Sequence, residues 1–332
     1  MKRLLISFFM LLLIATACDW SKPRLDIDVS HIPLEEVNIH RYDLALFNIP
    51  LDQLPEGLDK IKPEFLFFLD TDLTDSVKIY NLKEYLTHMR TIEFFQEVVR
   101  KYPGLPLLEA ELTEAFRHLK YYYPEIRIPR VYTYISGGEY DMPVQVIDSV
   151  LLIAIDSYLG AGFKPYAADR VPVYRMQRMG AENILPDCIR AMQESLYPVR
   201  YPGNTLLDQM VDAGKRVYLI DAMIPGYPDR YKIGYTENQI DWVTTNEEQV
   251  WAAIIENQFL YSSYGSTIRA FLADGPFTAD FSAESPPRLG EYLGWQIVAA
   301  YMEQNPDITL EELINEPDAQ KILAGSKYKP KK

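Results

Sequence analysis

The chain has 332 residues, 48% hydrophobic and 24% charged, the composition of a folded globular protein. That length exceeds the size at which one simple core is routine, so one large domain or two closely packed lobes is expected. A formal net charge of −14 excludes nucleic acid or an anionic lipid surface as a partner held by charge, because both need a basic face.

In chain order, the first feature is Met1-Lys2-Arg3, an apolar run over 4–14, and Ala15-Thr16-Ala17 directly before Cys18. A charged start, a short apolar run and a small residue before cysteine predict a bacterial lipoprotein signal peptide over 1–17. Cleavage would leave Cys18 as the first mature residue, its thiol carrying a diacylglycerol. The run is too short to span about 30 Å of hydrocarbon at about 1.5 Å per residue, so it reads as a leader. The alternative is an ordinary secretory leader with an incidental cysteine. Two lipid chains anchor stably because each buried CH₂ contributes about 0.8 kcal/mol. Residues 18–24 then form a lipidated tether, and 25–332 a single globular domain.

The alternation Leu25-Asp26-Ile27-Asp28-Val29 predicts a first strand. From Glu64 the pattern turns helical: Leu82, Tyr85, Leu86, Met89, Phe94, Phe95, Val98 and Val99 recur at three-to-four spacing until Pro103-Gly104. A further helix is predicted over 107–123, ended by Pro124. The centre changes character, with β-branched and aromatic runs over 130–135, 142–147 and 150–155. Turns are expected at Gly137-Gly138 and at Asp148. Helices follow over 183–196, 204–218, 236–260 and 288–304. The fold class is α+β, predominantly helical with a small central β-sheet.

Chemistry-bearing motifs are scarce. The histidines are His31, His40, His88 and His118; no pair is spaced for zinc, and His-Glu-x-x-His is absent. Neither Gly-x-Ser-x-Gly nor a P-loop occurs. Gly160-Ala161-Gly162 lacks the third glycine of a dinucleotide fingerprint. No catalytic residue, metal ligand or cofactor is therefore assigned. Asp208 and Asp212 lie four apart on one helical face and are weak candidate acids for a cation or a shared proton, although such pairs more often form a solvated face. Asp70, Asp72 and Asp75 read as a loop and a helix cap, since they lack the glycine and glutamate of a calcium loop. With Cys18 lipidated, Cys188 has no disulfide partner and reads as a packed, inert thiol. Thr236 and Gln239 form a capping box opening a helix, and Trp242 and Trp251 read as core.

Lys232-Ile233-Gly234-Tyr235-Thr236, Gln239, Trp242, Asn246-Glu247 and Trp251 carry a resemblance. Pro276-Phe277-Thr278, Ser285-Pro286-Pro287-Arg288-Leu289-Gly290, Gly294-Trp295-Gln296-Ile297-Val298 and Tyr301-Met302 extend it, and Ser326-Lys327-Tyr328-Lys329-Pro330 closes it. Together they resemble the gliding-motility lipoprotein GldB family of Bacteroidota over nearly the whole chain. The resemblance implies a non-catalytic envelope protein, bound to the membrane through its lipid and to other proteins of gliding and type IX secretion. It supplies no catalytic residues. The absence of an acidic run after Cys18 favours a periplasm-facing protein; outer and inner membrane both stay open. More distantly, the order of sheet, helix, and helix with Gly214 is similar to gluzincin zinc peptidases. Here Asp187-Cys188-Ile189-Arg190-Ala191 and Ala213 stand where their ligands would be, which implies a degenerate scaffold kept for binding. The alternatives are a hydrolase with a non-standard site and a peptide- or glycan-binding lipoprotein.

Overall fold

A computed structural model describes residues 24–196, 203–279 and 281–330. Cys18, the leader and most of the tether lie outside the described residues.

The framework is a four-stranded mixed sheet wrapped by helices. Its strands are β1 (Ile39–Arg41), β2 (Arg130–Tyr134), β3 (Val144–Ile147) and β4 (Val150–Ala154), in the order β1-β2-β4-β3. β1 and β4 both run parallel to β2, while β3 turns back antiparallel to β4 through the Asp148-Ser149 hairpin. Side chains alternate across the sheet with period two. Ile39, Val131, Leu151 and Ile153 enter the large core, whereas Tyr132, Val150 and Leu152 enter a smaller one on the opposite face.

The smaller core is closed by α1 (Tyr42–Phe47), α2 (Ser76–Thr87) and the Leu54, Leu58, Phe65 and Leu69 side chains between them. The large core takes α3 (Met89–Lys101) and α4 (Pro106–Tyr122) through Phe94, Val98, Leu112 and Phe116. It also takes α5 (Ile184–Leu196), α6 (Leu206–Met223), α7 (Glu237–Glu256), α8 (Leu289–Gln304) and α9 (Ala319–Ser326). The helix starts follow local chemistry. Pro106 opens α4, Asp75 caps α2 by accepting from Val77 and Lys78 N–H, and Thr205 and Thr236 form capping boxes with Asp208 and Gln239.

The expected strand at 25–29 does not form. Val29 is buried and Asp26 and Asp28 face solvent, so the alternation describes a face, but no neighbouring strand supplies a ladder. The outer edge of β1 is instead held by α4: Ile39 N–H donates to Glu109 (2.9 Å) and Val37 N–H to Thr113 (2.9 Å). Arg24 is fixed too, donating to the carbonyls of Met302 and Asn305 at the end of α8 and of Ile308 in the turn beyond it. The last carbonyls of a helix lack intrahelical partners, and a guanidinium suits its negative end. Among the described residues no helix is long and apolar enough to cross a membrane.

Candidate ligand cleft

β4 runs directly into a tight turn, Ile155–Tyr158, and this turn builds one wall of a cleft of about 580 Å³. Asp156 in the turn is fully buried. Its carboxylate accepts from Ser136 N–H (2.8 Å), the Ser136 hydroxyl (2.9 Å) and Gly137 N–H (2.9 Å), which pins the loop leaving β2. Burial pushes its carboxyl up to about 6, against the pull of those hydrogen bonds. Ser157 lines the cleft at 2% exposure, and its hydroxyl has no hydrogen-bond partner among the described residues.

Tyr158 donates to Asp187 (2.8 Å) in the first turn of α5. Burial raises the Asp187 carboxyl, opposed by Arg190, the Tyr158 hydroxyl, Arg178 and Arg288. Arg190, one turn further along α5, donates to Lys232 O (3.0 Å) and lies 3.9 Å from Glu291. Arg288 stands at the start of α8 with φ 56° and is only 8% exposed. It donates to Glu291 (2.7 Å) and to Gly234 O (3.3 Å), and its Nε is ion-paired with Asp274. Asp274 joins the network, taking Arg178 and lying 3.5 Å from Arg288. Three guanidinium groups, Arg178, Arg190 and Arg288, thus pair with two carboxyls, Asp274 and Glu291, and act on Asp187 through space.

Around this network the resemblance-bearing residues acquire physical roles. Lys232 is 2% exposed and paired with Asp221 (2.6 Å) and Asp229 (2.9 Å). Gly234 closes the short helix Asp229–Ile233 with φ 73°, the left-handed conformation glycine accepts most easily. Tyr235 donates to Pro287 O (2.6 Å), and buried Glu247 accepts from Tyr292 (3.0 Å) and Tyr328 (2.7 Å). Trp251 packs edge-on against Tyr328 and Trp242 against Phe281, and both indoles are only half-buried. These contacts lock the segments around 232–251, 274–302 and 326–328 together beside the cleft.

The candidate acids lie elsewhere. Asp208 is engaged in the Thr205 capping box and Asp212 pairs with Arg216 (3.2 Å), so the two serve separate local contacts. Asp72 accepts from Thr74, and Asp75 is a helix cap. Cys188 is fully buried, and burial pushes its thiol up. Among the described residues no group of three or more His, Cys, Asp or Glu side chains converges as metal ligands would. Sequence reasoning missed Ser157, Asp187, Arg190 and Arg288 as one site, because they arrive from widely separated segments. The available signal was Arg288 inside the Ser285–Gly290 motif and Asp187 at the head of a helix.

Fold and cleft define a mostly helical protein with a small mixed sheet, whose cleft is built from ion-paired polar side chains. The chain belongs to the family described as gliding motility protein GldB, whose family model matches residues 22–330. No curated protein and no solved structure matches the chain. The expected zinc-peptidase scaffold therefore has no fold match behind it.

Proposed function

We propose that this protein is a non-catalytic, lipid-anchored envelope component that supports gliding and the linked secretion assembly by holding another protein in the cleft. The observation that carries this reading is the cleft network itself. Arg178, Arg190 and Arg288 are spent on Asp274 and Glu291, and these contacts tie the segments around 178–190, 274 and 288–291 together. A network so engaged is suited to presenting a fixed surface; a nucleophile with its base would need a different geometry. The leader pattern before Cys18 supports the anchor, and Arg24 docks on α8, so five residues, or six Cα-to-Cα steps, separate lipid from body. Fully extended they reach about 20 Å, which keeps the body close to its membrane.

Complementation of a deletion strain in the native host tests the reading. Wild type should restore colony spreading and surface-protein display. Glu194→Arg combined with Arg175→Glu, at the open rim of the cleft, should accumulate normally and fail to restore either. Full restoration by the rim variant would remove the cleft from the account.

A further inference from the structure

The floor and one wall of the cleft hold polar groups that the ion-paired network leaves unused. Ser157 on the floor has no partner for its hydroxyl among the described residues. Asn183, 7% exposed in the turn before α5, lines the same floor, and its carboxamide makes no hydrogen bond with any described residue. Asp187 lies four residues on, across the start of α5. One of its oxygens takes the Tyr158 hydroxyl, and the other accepts from no described residue. On the wall, Tyr174 is half-buried, and neither its ring nor its hydroxyl has a partner among the described residues. Buried polar groups are normally paired. Two such side chains, both more than nine-tenths buried and open to one cavity, mark a place for a ligand.

The charges of the whole lining narrow the ligand's class. Arg175 donates to Asp141 (2.9 Å) and Tyr140 O (2.9 Å), Arg178 pairs with Asp274, and Arg288 pairs with Glu291 and Asp274. Arg190 donates to Lys232 O, with Glu291 3.9 Å away. Every guanidinium of the lining is engaged, so an anion would have to break a contact to enter. Glu194, the carboxyl in surplus, is exposed at the rim. A cation drawn instead to Asp187 would meet Arg178, Arg190 and Arg288, which all act on that carboxyl. A neutral ligand meets neither cost. The unused groups ask for donors and acceptors together: Asp187 accepts, while the Asn183 carboxamide and the Ser157 hydroxyl do both. Ligand hydroxyls answer all three. Tyr174 adds an apolar ring face beside them.

We propose that the cleft floor is a site for a neutral saccharide, whose hydroxyls bind Ser157, Asn183 and Asp187 while a C–H face of its ring lies on Tyr174. This rests on the reading of the cleft as the binding surface: the partner meets the rim and the sugar fills the floor. The cavity of about 580 Å³ falls within the range of small-ligand sites, about 300–1,000 Å³. A free saccharide and a sugar borne by the partner protein present the same hydroxyls, and the experiment separates the two sources.

The test titrates full-length protein, held in a sugar-free detergent, with glucose, galactose, mannose, N-acetylglucosamine, cellobiose, lactose and chitobiose. At least one should bind saturably, with a Kd of about 1 mM or tighter. Inorganic phosphate and ethylamine, the anionic and cationic probes, should not displace it at equal concentration. Ser157→Ala and Asn183→Ala should each weaken binding about tenfold, the effect of one lost hydrogen bond. Both should unfold at the wild-type temperature, since neither side-chain group is bonded in the free protein. Tyr174→Ala should weaken binding about tenfold or more, and Tyr174→Phe should bind as wild type. No saturable binding of any sugar, displacement by phosphate or ethylamine, or unchanged affinity in all three alanine variants overturns the proposal. Release of captured envelope protein by the bound sugar assigns a partner-borne sugar; capture untouched by it assigns a free saccharide, and both uphold the site. If no sugar binds while the rim variant still fails to complement, the cleft reading survives and only the saccharide assignment falls.

Discussion

Gly214 and Gly294 bring the backbones of α6 and α8 into direct contact. A Cβ on Gly214 would lie 2.1 Å from the Gly294 carbonyl carbon, and one on Gly294 would lie 1.8 Å from Met210 O. The crossing fixes how α8 leaves the core, and α8 follows directly on Arg288 and carries Glu291, so it also sets the cleft network. Gly294→Ala must push two buried helices apart and is expected to destabilise the protein by about 3 kcal/mol or more. Denaturant unfolding checks this, and a loss below about 1 kcal/mol would show that the crossing relaxes cheaply.

Lys232 is a buried cation with two carboxylate partners. Lys232→Met strands Asp221, and the expected cost is about 3–5 kcal/mol. The double change Lys232→Met with Asp221→Leu should recover much of that loss, since removing both charges also removes the uncompensated one. A double variant no more stable than the single would show that the lysine works through packing of its stem.

Asp156 gives stability a pH dependence of definite sign. Its carboxyl holds a proton up to about pH 6 in the folded state and releases it near 3.8 when unfolded. Between those values the folded state binds more protons, so the contribution of this group is largest at low pH and falls as pH rises. The fall amounts to about 3 kcal/mol. The stability of wild type minus that of Asp156→Asn should decline by most of this amount between pH 4 and 7. A flat difference curve would contradict the assignment.

Cys18→Ser should move the protein from the membrane fraction to the soluble envelope fraction, and activity should fall with it. Membrane retention of the variant, read by fractionation and immunoblot, would show that something other than the lipid holds the protein.

The helical majority and the central strands were legible because their periodicities are regular. The Thr236–Gln239 capping box and the buried character of Cys188 were equally plain, whereas the Thr205–Asp208 box was not read from the sequence. Leu25 to Val29 misled, since alternation reports which side is buried and carries no information about a neighbouring strand. Ile39-His40-Arg41 went the other way: three residues, two of them polar, make a strand only because β2 lies alongside. The insertion of β4 between β2 and β3 is a long-range choice that no local pattern records. The cleft was hidden for the same reason. Arg288 owes its place to a left-handed backbone at φ 56° and to a helix crossing 6 residues later at Gly294, and neither can be read from residue types.

A photocrosslinking residue in place of Met142, in living cells of the native host, tests the central claim most directly. Met142 lies on the cleft rim at 65% exposure, and Met89, at 84% exposure outside the cleft lining, serves as the control position. The expected result is a discrete adduct with one envelope protein from position 142 that is missing from position 89 and lost in the Glu194→Arg, Arg175→Glu rim variant. No adduct at 142, or the same adducts at both positions, would contradict a protein that works by holding a partner in this cleft.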